Sequence, residues 1–194
     1  MLNNNQKLFI YDSMNTDLRE INSDTFLLKL KNNLVYLHMS NFDESMIPTS
    51  LCNIKTINEI HLKSYLFGLE EILHLFPPTL KKLTISDSLL LTISNSIDQL
   101  TNLEELTIHH CYTKYLPKAI GNLRNLRKLT ISQTPIVKIH KLIFSFPNLE
   151  VLNLEHTKIP HIQKIKRRMP YLRYFNNIVL HLLNHFHIRN ARNS

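Results

Sequence analysis

Histidine and cysteine are the side chains of this 194-residue chain best suited to chemistry, and there are 11 of the first and 2 of the second. Their densest cluster is His109-His110-Cys111, followed directly by Tyr112. A metal ion needs three or four such ligands converging on one point. Successive side chains of an extended segment point to opposite faces, so this run does not offer three ligands on one side. His181 and His185 have the i, i+4 spacing of a zinc-binding helix, but Leu182-Leu183-Asn184 lies between them, without the glutamate of a HExxH site. Gly68 and Gly121 are the only glycines, which leaves no glycine-rich loop to wrap a nucleotide phosphate. No Ser, Cys or His stands in a recognisable nucleophile motif. The expectation is a chain with no metal, no cofactor and no catalytic residue, and therefore not an enzyme.

The scaffold that positions these residues is written as a repeat. An apolar residue opens a unit at Leu34, Ile57, Leu80, Leu103, Leu126, Leu149 and Leu172, always 23 residues apart. Counting that residue as position 1, positions 4 and 6 are apolar too: Leu37 and Met39, Ile60 and Leu62, Leu83 and Ile85, Leu106 and Ile108, Leu129 and Ile131, Leu152 and Leu154. An i, i+2 spacing aims side chains to one face of a strand, so each unit predicts a short strand. Further apolar residues at positions 14, 18 and 21, as in Leu116, Ile120 and Leu123, form the returning side. Units of fixed period that cannot bury their own apolar face must stack on one another.

Leu103-Glu104-Glu105-Leu106-Thr107-Ile108 reads LxxLxL, and Leu116-Pro117-Lys118-Ala119-Ile120-Gly121-Asn122-Leu123 reads as the LPxxIxxLxN half of a 23-residue unit, a half repeated by Ile47-Pro48-Thr49-Ser50-Leu51-Cys52-Asn53-Ile54. In these motifs, over residues 34 to 177, the chain resembles the leucine-rich-repeat family. The resemblance implies an α/β solenoid: a curved right-handed horseshoe with a parallel β-sheet on the concave face and short helices or 3-10 turns on the convex face. It divides the chain into an N-terminal cap (1–33), six repeats (34–171), and a partial last repeat with a C-terminal capping helix (172–194). In the caps, Leu8 and Ile10 predict an opening strand, while Ser23 to Leu30 and Ile178 to Ile188 predict amphipathic helices closing the ends of the stack. Two departures from the family pattern stand out. Position 9, where the family places Asn or Cys to bond the turn, carries Phe42, Tyr65, Ser88, Cys111, Thr134 and Thr157, so backbone satisfaction must vary between units. The unit from Ile57 loses its pattern after Phe67, and Gly68 to Phe76 predicts one or two helical turns bulging on the convex side.

The resemblance puts the variable strand positions on the concave face. Position 2 reads Lys81, Glu104, Arg127, Glu150, Arg173, and position 3 reads Glu59, Lys82, Glu105, Lys128. Neighbouring parallel strands lie about 4.8 Å apart, so these alternating signs are expected to neutralise each other and set the register. The Thr84, Thr107 and Thr130 column at position 5 needs only a pleated sheet to explain it. Positions 7, 8 and 10 are less easily explained by structure, and Lys63, Asp87, His109, His110, Tyr112, Gln133, Glu155 and His156 form the candidate partner-binding patch. His110 and His156 are two strands apart, about 10 Å, too far to share one metal ion.

Charge is unevenly spread. Residues 1–102 hold 8 Lys/Arg and 11 Asp/Glu, whereas residues 103–194 hold 15 and 4. Lys164, Lys166, Arg167 and Arg168 make the densest basic run, the alternative site, suited to nucleic acid or an anionic membrane. Cys52 and Cys111 are too few for a disulfide framework and too far apart to pair, which points to a reducing, intracellular compartment. Met1 to Asp12 has neither the basic start nor the apolar run of a cleaved signal peptide, and no apolar stretch is long enough to span a bilayer. The leucine, isoleucine, asparagine and lysine richness looks like that of stand-alone repeat proteins of intracellular bacteria, several of which are secreted effectors acting on host proteins. The expectation is a monomeric module that binds a partner protein on its concave strand face.

Overall fold

The computed structural model describes residues 6–11, 34–41, 47, 49–64, 72–139 and 141–176. Its strands are β1 (Gln6–Tyr11), β2 (Leu34–Ser40), β3 (Glu59–Lys63), β4 (Lys82–Ser86), β5 (Glu105–His109), β6 (Lys128–Ser132), β7 (Val151–Asn153) and β8 (Tyr174–Asn176). They form one eight-stranded sheet in sequence order, and every neighbouring pair is parallel. From β2 onward Leu37, Ile60, Leu83, Leu106, Leu129, Leu152 and Phe175 are successive register partners, a constant advance of 23 residues. The opening strand anticipated around Leu8 and Ile10 is β1. It stands outside the count: Leu8 pairs with Leu37, and the register slips between Gln6 and Lys7.

The spacing of apolar residues explains the layers. Positions 4 and 6 of units Ile57 to Leu126 are all at most 1% exposed, so each strand contributes two side chains to one continuous core. Position 5 between them faces the other way and remains half-buried. The chain returns through 3-10 turns at the same unit positions, Thr49–Asn53, Asn95–Gln99, Lys118–Asn122 and Lys141–Ser145. The i to i+3 bonding of a 3-10 turn carries the buried residue at position 18 to that at position 21 in one tight turn, as from Ile97 to Leu100 (3.1 Å) and from Ile120 to Leu123 (3.2 Å). Ser94 starts one of these turns by accepting a bond from the Ser96 amide. The unit from Leu149 differs. It returns through an α-helix, Ile162–Arg168, that buries Ile162 and Ile165 and leaves its basic side chains outside.

The irregular unit from Ile57 keeps its length, because Ile60 and Leu83 are still register partners. Its 3-10 turn is Leu73–Leu75, and the core is filled there by Ile72, Leu73 and Phe76. The preceding part of the anticipated bulge, residues 65–71, lies outside the described residues, as do the anticipated cap helices around residues 23–30 and 178–188. Position 9 varies in its bonding as anticipated. The Ser88 hydroxyl donates to the Ser86 carbonyl, the Cys111 thiol to that of His109, and the Thr157 hydroxyl to that of Leu154. Thr134 Oγ1 is buried with no hydrogen-bond partner. Both cysteines are free thiols, and burial pushes the Cys111 thiol up to about 11.

Candidate functional site

The outer face of the sheet divides into columns of different character. At position 3, Glu105 Oε1 lies 2.9 Å from Lys82 Nζ and Oε2 lies 3.7 Å from Lys128 Nζ. Burial opposes ionisation of Glu105, but the hydrogen bond and charge of Lys82, joined by Lys128, outweigh it and hold the carboxyl below its ordinary range. The same contact raises Lys82. At position 2, Lys81 pairs with Glu104 at 3.2 Å, and Glu150 pairs with Arg173 at 3.2 Å and Arg127 at 4.0 Å. The alternating columns do neutralise each other, as their sequence implied.

Beside them runs a polar trough of about 430 Å³ that sequence reasoning passed over. Asn102, Asn125 and Asn148, each just before a unit's opening leucine, donate their side-chain amides to the carbonyls of Pro78, Thr101 and Arg124. The signal was present as the recurring asparagine of the LxN motif. The ladder ties each unit to the one before it, so its donors already serve the stack.

The candidate patch lies where the strands end, and the backbone there has one repeated shape. Asn41, Ser64, Asp87, His110, Gln133 and His156, all at position 8, have φ between 50° and 55°. This left-handed region is unfavourable for most side chains and best tolerated by Asn, Asp and His among non-glycine residues. From Asn41 to Gln133, each of these residues donates its N–H to the position-7 carbonyl of the next strand at 3.0–3.1 Å. Choice of residue at position 8 therefore answers partly to a backbone turn, which the sequence did not reveal because glycine, the usual marker of such a turn, is absent from the column.

Side chains at this edge are only partly brought together. Asp87 takes a 2.8 Å bond from His110 Nδ1 and faces Lys63 Nζ at 3.8 Å. The His110 bond, opposed by burial and aided by the charge of Lys63, holds the Asp87 carboxyl below its ordinary range. One strand further on, His109 Nδ1 and Ser132 Oγ are 2.9 Å apart. Ser132 is buried, at 6% exposure, and among the described residues no carboxylate hydrogen-bonds His109. A serine and a histidine in contact thus lack the third group that would orient a catalytic base. Glu155 and His156 turn toward each other at 3.4 Å, and Asn176 donates to Glu155 at 3.3 Å. His156 is 19% exposed at its side chain and its Nδ1 is buried without a partner, so it presents little to solvent. Gln133 and Tyr112 are exposed. Tyr112 lies three residues beyond the end of β5, at the rim rather than on the sheet. Among the described residues no group of three or more His, Cys, Asp or Glu side chains is placed to hold a metal ion.

Lys164, Lys166, Arg167 and Arg168 project from the helix of the unit from Leu149, all exposed. The guanidinium of Arg168 covers the Phe144 ring at 4.2 Å. Among the described residues no helix is long and apolar enough to cross a membrane.

A parallel sheet with one strand per 23-residue unit and a buried leucine ladder is the fold of leucine-rich-repeat solenoids. Solved structures bear this out. A leucine-rich-repeat protein of Leptospira interrogans matches over 80% of this chain with a TM-score of 0.69 and 22% identity. An internalin from Listeria monocytogenes matches over 80% with a TM-score of 0.59 and 18% identity. TLR13 in its complex with ssRNA13 matches over 86%, also at 0.59 and 18%. The matched region spans only 40%, 44% and 27% of those chains. No protein-family model and no curated protein matches the sequence.

Proposed function

We propose that this chain is a non-enzymatic binding module that engages a partner protein at the C-terminal edge of its strand face. The observation that carries the reading is variation on a constant frame. Backbone geometry at position 8 is the same from unit to unit, while Asp87, His110 and Gln133 at that position and Lys63, His109, Tyr112 and Glu155 beside it differ in chemistry. Inner positions and the charged columns repeat or alternate, as residues serving the stack should. Within the patch, Tyr112 is 57% exposed and of a type enriched among residues that dominate binding energy. His110, 64% exposed at its side chain, bonds Asp87 through Nδ1 and leaves its other ring nitrogen available. A role as a secreted effector acting on a host protein is in keeping with the bacterial source of two of the structural neighbours. Affinity capture from host-cell and bacterial lysates, with wild type and a Tyr112→Ala, His110→Asn variant side by side, tests the reading. A protein retained by wild type and lost by the variant supports it, and equal retention contradicts it.

The second reading, nucleic acid or anionic membrane at the basic end, is favoured by the four exposed cations of the final helix, none of them within ion-pair distance of a carboxylate among the described residues. One structural neighbour is itself in complex with single-stranded RNA. This mode predicts binding that falls steeply as salt rises and is abolished by Lys166→Glu with Arg167→Glu.

A further inference from the structure

The four acidic residues beyond position 102 are Glu104, Glu105, Glu150 and Glu155, and all of them belong to the strand-face columns. The sequence has no Asp or Glu from residue 106 to 149 or from 156 onward. Behind those strands, between the last two returning segments, lies a groove of about 210 Å³. Its walls include Ile139, Phe144, Ile159 and Ile165, and Lys138, Lys164 and Arg168 stand along its rim. The three cations are exposed and have no ion-pair partner among the described residues. The Arg168–Phe144 contact fixes one cation at the edge of the apolar wall.

We infer that this groove docks a short acidic segment of a partner protein, seating one apolar side chain among Ile139, Phe144, Ile159 and Ile165 while flanking carboxylates meet Lys138, Lys164 and Arg168. The volume is below the range of about 300–1,000 Å³ of small-molecule sites and suits a single side chain. Phe144 is the one phenylalanine or tyrosine in the groove's lining and Arg168 lies over that ring, which leaves no row of aromatic faces on which successive bases could stack. Charge complementarity supplies the rest: three cations with no local carboxylate attract an acidic segment, and Arg168 offers a carboxylate two parallel bonds. This site is separate from the strand-face patch and does not depend on it.

The test uses the full chain and a synthetic peptide with one leucine flanked on both sides by glutamates, against a control with serine in place of leucine. Binding by fluorescence anisotropy or chemical-shift changes at the groove is expected for the leucine peptide, at least about tenfold tighter than for the control. Ile159→Asp, at a half-exposed position, and Arg168→Gln should each weaken it by a similar factor, while Tyr112→Ala leaves it unchanged. Thermal melts check that the variants remain folded, and the exposed Lys138→Glu gives an independent variant should Ile159→Asp melt early. Equal affinity for the two peptides, or preference for single-stranded RNA or phosphatidylserine vesicles over the leucine peptide at physiological salt, would overturn the inference. Retention of a captured protein by the strand-face patch is read separately and does not depend on either result.

Discussion

The strand face and the returning side of the last units carry charge in opposite ways. On the face, Glu105 is held by Lys82 and Lys128, Glu150 by Arg127 and Arg173, and Asp87 by His110 and Lys63. On the returning side, Lys138, Lys164, Lys166, Arg167 and Arg168 face solvent with no carboxylate near them among the described residues. Density of charge is thus a poor guide to where a solenoid binds. Parallel strands bring unlike charges of successive units within reach of one another, so charged columns on the face serve register. The same charges on the turns have no such neighbour and remain available.

The largest effect tests the frame that both regions share. Leu129 is fully buried between Leu106 and Leu152 in register, and Leu129→Ala should cost about 2–5 kcal/mol by denaturant unfolding. An unchanged midpoint would break the common core. Next comes the left-handed turn at the edge of the face. His110→Val places a β-branched residue at φ 50° and should cost about 1–2 kcal/mol, whereas His110→Gly should be nearly neutral. If both variants cost the same, the position-8 column is explained by its side-chain contacts and not by its backbone.

A smaller difference sharpens the comparison of charges. Glu105→Lys removes two pairings at once and should cost about 1 kcal/mol, while the double reversal Lys166→Glu and Arg167→Glu should stay within about 0.5 kcal/mol. Equal costs would mean that the two regions use charge alike. The smallest effect is at His38. Burial, with the charges of His61 and Lys63 adding to it, holds that imidazole below its ordinary range. A lowered value means the folded state resists protonation, so stability present above about pH 6.5 declines as pH falls through the folded value. His38→Gln should flatten that decline between about pH 7 and 5, measured by chemical unfolding at each pH.

Much of this was legible in the sequence because it is periodic. The 23-residue spacing of the opening apolar residues fixed the strands, their order and register, and the pairing of Lys82 with Glu105 followed from register alone. Features governed by backbone torsion were hidden. Asn41, Asp87, His110 and His156 are of the types that tolerate a left-handed turn, but Ser64 and Gln133 interrupt the column and no glycine marks it, so the shared turn was not read from the sequence. The apolar groove was hidden for another reason: Ile139, Phe144, Ile159 and Ile165 lie in two units, and only stacking brings them together. His156 was read from the sequence as a partner-binding residue, and its side chain is only 19% exposed with Nδ1 buried.

The central claim is that recognition belongs to the edge of the strand face, where unlike side chains stand on a repeated turn. Its most direct test is capture at physiological salt with three proteins compared: wild type, Tyr112→Ala with His110→Asn, and Lys166→Glu with Arg167→Glu. The account predicts a protein partner held by wild type and by the charge-reversed variant, and lost by the strand-edge variant. A partner lost only on charge reversal, and replaced on wild type by nucleic acid or anionic lipid, would contradict it.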